Sequence, residues 1–223
     1  MHQSVKNIID LYDNVKQKIE ELNFKNYNPQ IIAVSKTFSM DSIAPLINHG
    51  HIHFGENKVQ EAENKWKEEK LKNPNIKLHM IGKLQSNKVK QAVRIFDYIH
   101  SIDNVRLAKK ISEEQLKQKR NIKVFLQVNI GYEIQKSGTK LSNLDELVDE
   151  CKKLKLNVIG LMCLPPLGEP VSKYFSLIKK KNDDFKFNDL SIGMSGDYIE
   201  ALKYKTSFLR IGTKIFGERI KKF

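Results

Sequence analysis

The sequence has little cysteine, few arginines, no long apolar run and none of the common phosphate-loop signatures. Two cysteines, Cys151 in a lysine-rich helical stretch and Cys163 at the end of an apolar run, suit reduced thiols in a reducing compartment. No apolar stretch approaches the ~20 residues that cross a bilayer, and the N-terminus scatters its charges where a secretory leader has a basic head and an apolar body. A cytoplasmic protein with no membrane association is expected. A G-x-G-x-x-G after the first strand candidate is missing, as is a G-x-x-x-x-G-K-[ST] anywhere, which argues against an open dinucleotide- or nucleotide-binding sheet. No linker, sequence repeat or low-complexity tract divides the chain, so residues 1–223 are expected to form one domain, with residues 1–24 as an N-terminal helical extension.

What is present is an ordinary globular composition, 40% hydrophobic and 29% charged, with one oddity, a formal charge of +13. Clustered cations bind phosphate backbones by counterion release. Here only five of the 39 basic residues are arginine (Arg94, Arg106, Arg120, Arg210 and Arg219), and the 34 lysines spread along the whole chain. No RNA-recognition, helix-turn-helix or zinc-finger pattern accompanies them, so no specific nucleic-acid partner is expected. Where lysine is so common, an arginine marks a place that needs a planar, permanently charged fork.

Helix and strand patterns alternate. Residues 4–23 carry Val5, Ile8, Ile9, Tyr12, Val15, Ile19 and Leu22 at three- and four-residue steps, an amphipathic helix. Strand candidates follow at Ile31–Lys36, His51–Gly55, Lys77–Gly82, Tyr98–Ile102, Lys123–Asn129, Leu156–Cys163, Leu190–Met194 and Ser207–Gly212, with helical segments between nearly all of them. Eight such repeats predict an α/β protein, a single TIM (β/α)8 barrel with an extra N-terminal helix.

In that fold the chemistry sits where the strands end. Lys36 follows four apolar residues, and a desolvated lysine there would expose a nucleophilic amine, although a solvated strand end reads the same way among 34 lysines. The stretches Gly193-Met194-Ser195-Gly196-Asp197 and Arg210-Ile211-Gly212-Thr213 place small and hydroxyl residues after strands seven and eight, where barrels cradle phosphate on backbone amides, and where ordinary turns also use them. His51 and His53, two apart on a strand candidate, would share a face as a metal pair does, but His79 and His100 fall short of their strand ends and supply no further ligands, so packed or partly exposed histidines and no metal are expected.

These blocks recur together in one known family. Ala33-Val34-Ser35-Lys36-Thr37, His53-Phe54-Gly55-Glu56-Asn57, His79-Met80-Ile81-Gly82, Leu84-Gln85-Ser86-Asn87-Lys88, Asn129 with Glu133, Lys136 and Gly138, Gly160-Leu161-Met162, Leu190 to Ser195, and Arg210-Ile211-Gly212-Thr213 stand in order along nearly the whole chain. The chain resembles the YggS/PROSC family of pyridoxal-phosphate homeostasis proteins. The resemblance implies a barrel like the N-terminal domain of alanine racemase, holding pyridoxal 5'-phosphate (PLP) as an internal aldimine on Lys36. It implies that Ser195, Gly212 and Thr213 hold the phosphate, that Arg210 faces the pyridine nitrogen, and that Asn57 and Met194 line the ring. Lys83 and Lys205-Thr206 depart from residues common in the family, which bears on loop shape.

A permanently charged Arg210 beside the ring nitrogen disfavours its protonation and leaves a weak electron sink, unsuited to transamination. Racemases of this fold take a second base from another domain or subunit, and only eleven residues follow Gly212 here. The expected function is therefore a monomeric PLP carrier and buffer without robust turnover, with PLP-dependent apoenzymes as recipients. The alternative is a single-domain PLP-dependent racemase or lyase on the same Lys36. Recipients, and any part of Lys136 in loading or release, are not legible in the sequence.

Overall fold

β-Branched and apolar residues in β1 (Gln30–Val34) alternate between two environments: Ile31 and Ala33 pack outward under the helices, whereas Ile32 faces the barrel axis. The same alternation repeats in β2 (His53–Glu56), β3 (Lys77–Met80), β4 (Tyr98–Ile102), β5 (Lys123–Val128), β6 (Asn157–Cys163), β7 (Asp189–Met194) and β8 (Phe208–Ile211). The strands are parallel and pair in chain order, and β8 closes on β1 through Gln30↔Phe208 to Ala33↔Ile211. The expected closed eight-stranded α/β barrel is therefore observed. The structure, a computed structural model, describes residues 5–22 and 27–218.

Helices α1 (Val5–Glu21), α2 (Met40–Asn48), α3 (Val59–Lys72), α4 (Val89–Ile95), α5 (Val105–Gln118), α6 (Leu144–Lys153), α7 (Ser172–Asp184), α8 (Tyr198–Leu202) and α9 (Thr213–Phe216) surround the strands. The extra helix α1 packs on α2 and α9 through Ile8, Val15 and Ile19, and its Tyr12 hydroxyl lies 3.1 Å from His51 Nδ1. Residues 1–4 and 23–24 of the expected extension lie outside the described residues. None of the described helices is long and apolar enough to cross a membrane.

Two hydrophobic layers result. The outer one, between strands and helices, is aliphatic and continuous, with Trp66, Phe54 and Phe175 filling its largest spaces. The inner one holds Ile32, Tyr98, Phe125, Met162 and Phe208. Three histidines share that interior, which is thus more aromatic and polar than the branched aliphatic filling usual for this fold.

Several strands are shorter than their sequence pattern. His51 donates its N–H to Leu46 O after Gly50 turns at φ 88°, so the segment closes α2 and β2 begins only at His53. Leu156 likewise closes α6 by bonding Cys151 O, and β6 starts at Asn157. Asn129 leaves β5 because its N–H turns to Thr139 O, and Gly212 ends β8 by accepting the N–H groups of Ile215 and Phe216.

Candidate cofactor site at the C-terminal end of the barrel

Lys36, Asn57, Met194, Arg210 and Gly212 stand at or just beyond the ends of β1, β2, β7 and β8, four strands that are consecutive around the barrel. Lys36 is half-buried in a tight turn after β1, and Thr37 beside it has φ 70°, a costly left-handed conformation for a β-branched residue. Its surroundings hold the turn in place. Thr37 N–H donates to Glu61, Lys65 Nζ donates to Ser35 O at 2.9 Å, and the Phe38 ring stacks on Phe216 of α9 at 4.9 Å. Burial alone would raise the Glu61 pKa, but the Thr37 N–H and the Lys65 ammonium outweigh it and hold it below the usual range.

Behind this turn lies a buried carboxylate whose part sequence reasoning missed. Glu56 closes β2 fully buried, and its Oε1 accepts from Ser35 Oγ at 2.7 Å, Lys65 Nζ at 2.9 Å and Trp66 Nε1 at 2.9 Å. The turn bearing Lys36 and helix α3 are thereby tied to one carboxylate oxygen. A carboxylate ending the short run His-Phe-Gly-Glu was the available signal, since an unpaired glutamate is seldom buried.

Glycines set the approach of the neighbouring strand ends. A Cβ on Gly82 would stand 2.4 Å from Asn57 O, so only glycine after β3 lets the Asn57 backbone sit where it does. Gly193, at φ 91°, forms a bulge in β7: Ser191 pairs with Phe208 and Met194 with Arg210, three residues against two. Beyond the bulge, Ser195 does not cap its own helix. Its Oγ instead accepts Gly212 N–H at 3.2 Å and Lys214 N–H at 3.4 Å from the turn after β8, while Asp197 accepts Met194 N–H. Thr213 opens α9 beside this turn, exposed. At the departure Lys205-Thr206, Thr206 is buried; its Oγ1 accepts Ile192 N–H, and its one O–H has the carbonyls of Leu190, Ile192 and Phe208 as alternative acceptors.

Arg210 is 4% exposed and points into the barrel. One terminal nitrogen donates to Ser191 O at 2.6 Å and Ser191 Oγ at 2.7 Å, the other to Cys163 O at 2.9 Å. Burial works against its charge, opposed by Cys163 and Asp197 nearby. Below it, His100, His79 and His53 follow one another, with Ser191 Oγ to His100 Nδ1 at 3.0 Å and each further imidazole contact at 2.9 Å. His79 stacks on Tyr98 at 4.2 Å and His100 on Phe125 at 4.3 Å.

The expectation that His51 and His53 share one strand face is corrected. His51 precedes β2 and packs between Tyr12 and Phe54 under the helices, whereas His53 faces the axis, so the two share no face. Both cysteines are free and buried, and burial pushes each thiol up to about 12. Lys136, in the loop after β5, donates to Pro165 O at 2.9 Å and pairs with Glu133 at 2.5 Å.

Residues 9–220 match the family model for the alanine racemase N-terminal domain. The pyridoxal phosphate homeostasis protein of Escherichia coli K12 is 35% identical over 199 residues, 85% of each chain, and that of Pasteurella multocida 30% identical over 224 residues, 96% of each. The solved structure of PipY from Synechococcus elongatus with PLP bound superposes with a TM-score of 0.81 at 30% identity, covering 94% of this chain and all of that one. With a barrel of this topology and these relatives along nearly its full length, the chain belongs to the alanine racemase N-terminal domain family, among its pyridoxal phosphate homeostasis proteins.

Proposed function

We propose that this protein binds PLP at the ends of β7, β8, β1 and β2 and serves PLP homeostasis as a carrier and buffer, without robust catalytic turnover. The observation that carries the reading is the convergence of Gly212 and Lys214 N–H groups on the single oxygen of Ser195. Two backbone donors gathered on one oxygen are what a phosphate oxygen would use, and the neighbouring strand ends supply a lysine and a buried arginine. The residues present thus fit the group.

PLP supplies an electrophilic aldehyde on a ring that withdraws electrons. In this reading Lys36 offers the amine that captures the aldehyde, held by the Thr37 turn. Ser195, Gly212 and Thr213 take the phosphate, Asn57 and Met194 flank the ring, and Arg210 keeps a fixed positive charge toward its nitrogen. That charge disfavours a second one, so the ring stays a weak sink, which suits storage better than transamination. PLP-dependent apoenzymes are the proposed recipients, the cytoplasm the proposed compartment and a monomer the proposed state. Reduced, unreactive Cys151 and Cys163 agree with that compartment.

The test is the visible spectrum of the purified protein with PLP, followed by borohydride. A band abolished by borohydride, with no turnover of added amino acids, is expected. No such band would overturn PLP binding, and rapid amino-acid racemisation would overturn the carrier reading.

A further inference from the structure

From Arg210 a continuous line of polar groups leads down the barrel interior through Ser191, His100, His79 and His53, four residues that the carrier reading does not use, all buried and each within 3.0 Å of the next. It runs from the site end to the opposite end of the barrel, where His53, 9% exposed, lines a cavity of about 190 Å³ beneath α1 together with Tyr12, Lys16, Gln30 and His51. We propose that His53, His79 and His100 form a single-tautomer hydrogen-bonded column that positions Arg210 through Ser191, and so help set how that guanidinium meets the ring of bound PLP. This rests on the PLP reading of the site.

The direction of the column follows from donor and acceptor inventory. A guanidinium has donors only, so Ser191 Oγ must accept from Arg210. The serine proton then needs an acceptor, and His100 Nδ1 is the one at hand. If His100 donated there instead, the buried serine O–H would have no acceptor, which is unfavourable in a dry interior. His100 is therefore neutral with its proton on Nε2, which donates to His79 Nδ1. The same step fixes His79, whose Nε2–H donates to His53 Nδ1, and His53 ends the line with its own Nε2–H.

Charge would break this order. An imidazolium in the line would carry two donors and meet a neighbour's donor head on. The surroundings also disfavour a charge: Lys77 and Lys123 act against one on His53 with Asp97 opposing them, the other imidazoles and after them Lys70 act against one on His79, and Arg210 acts against one on His100. Burial first, then these neighbours, hold His79 and His100 well below the ordinary histidine range.

The experiment is nitrogen-15 NMR of the imidazoles in the protein without PLP, joined to the absorbance of the PLP-loaded protein as a function of pH. The wild type should show three neutral Nε2–H imidazoles near neutral pH. Ser191→Ala should lose that single-tautomer signature at His100. His100→Phe keeps the stack on Phe125 but removes the acceptor, whereas His100→Asn keeps an acceptor near the Nδ1 position and loses the ring. The loaded His100→Phe protein should show a shifted pH profile of its band, and His100→Asn should restore the wild-type profile. An Nδ1–H or protonated imidazole in the wild type, or unchanged tautomers in Ser191→Ala, overturns the column. An unshifted profile in His100→Phe overturns its effect on Arg210. Failure of the PLP reading is read separately, as a wild type with no borohydride-sensitive band.

Discussion

The Ser195 hydroxyl, carried by the turn after β7, accepts the backbone N–H of Gly212 in the turn after β8 at 3.2 Å. One side-chain oxygen thereby stitches two successive strand ends, and Lys214 N–H joins it at 3.4 Å. An anion oxygen that displaces Ser195 Oγ from these two N–H groups meets donors already gathered, with the freed hydroxyl as a third, so little ordering cost attends binding.

This arrangement predicts that phosphate carries much of the affinity. Charge-assisted hydrogen bonds contribute about 1.5–3 kcal/mol each, so pyridoxal without phosphate should bind at least about tenfold more weakly than PLP. Ser195→Ala should weaken PLP by a similar factor and leave pyridoxal little changed. Equilibrium titration of both ligands against both proteins checks this; equal affinities for PLP and pyridoxal in the wild type would show the two turns to be structural only.

Lys36→Ala should abolish borohydride-fixed label on the peptide containing residue 36 while the phosphate turns retain some noncovalent PLP. Peptide mapping after reduction makes the measurement. Label at full stoichiometry on another lysine would remove Lys36 from its proposed place.

Gly82→Ala should disturb the site without touching any proposed ligand-binding side chain. Its Cβ would lie 2.4 Å from Asn57 O and 2.7 Å from Asn57 Cα, and backbone atoms cannot swing aside as a side-chain end can. Overpacking of this kind costs about 1–3 kcal/mol. Denaturant unfolding should show the loss, and PLP affinity should fall with the displaced Asn57. A variant as stable as the parent with unchanged PLP affinity would mean that the β2 and β3 ends separate freely.

Architecture was legible in the sequence because each strand is a short apolar run and each helix an amphipathic stripe, patterns that local periodicity reports well. Strand ends were less so: His51 and Leu156 look like strand residues, yet their N–H groups belong to the preceding helix turns. The site-end residues Lys36, Ser195, Arg210 and Gly212 stood out as polar or small residues closing apolar runs. The Glu56 cluster and the histidine column stayed hidden for another reason. Their partners, such as His100 and Ser191, lie 91 positions apart and meet only when the barrel closes.

Burial of His51 and His53 predicts loss of stability in mild acid. Desolvation, the largest influence on each, lowers both from 6.5 to about 4. The unfolded chain therefore binds more protons as pH falls below 6.5, so this stability is fully present above 6.5 and is lost on descending toward about 4. The loss should be on the order of 3 kcal/mol for each histidine. Denaturation midpoints measured across that window should fall for the wild type and fall less for His51→Phe. A flat wild-type profile would mean that both imidazoles reach water when charged.

Arg210 offers the sharpest test of why this site should store PLP and not transaminate with it. A carboxylate in its place would face the carbonyl oxygens of Ser191 and Cys163, which now accept from the guanidinium, so Arg210→Glu would damage the fold as well as the electronics. Arg210→Gln keeps an amide donor for those carbonyls and removes the fixed charge. Without that charge the ring nitrogen can protonate near neutrality, which should move the visible band, give it a new pH dependence and allow slow formation of pyridoxamine phosphate from added amino acids. The comparison is absorbance against pH and product formation in both proteins at matched loading. If the folded, loaded variant titrates like the parent and forms no more pyridoxamine phosphate, the guanidinium does not govern the ring nitrogen, and the weak-sink account of storage falls.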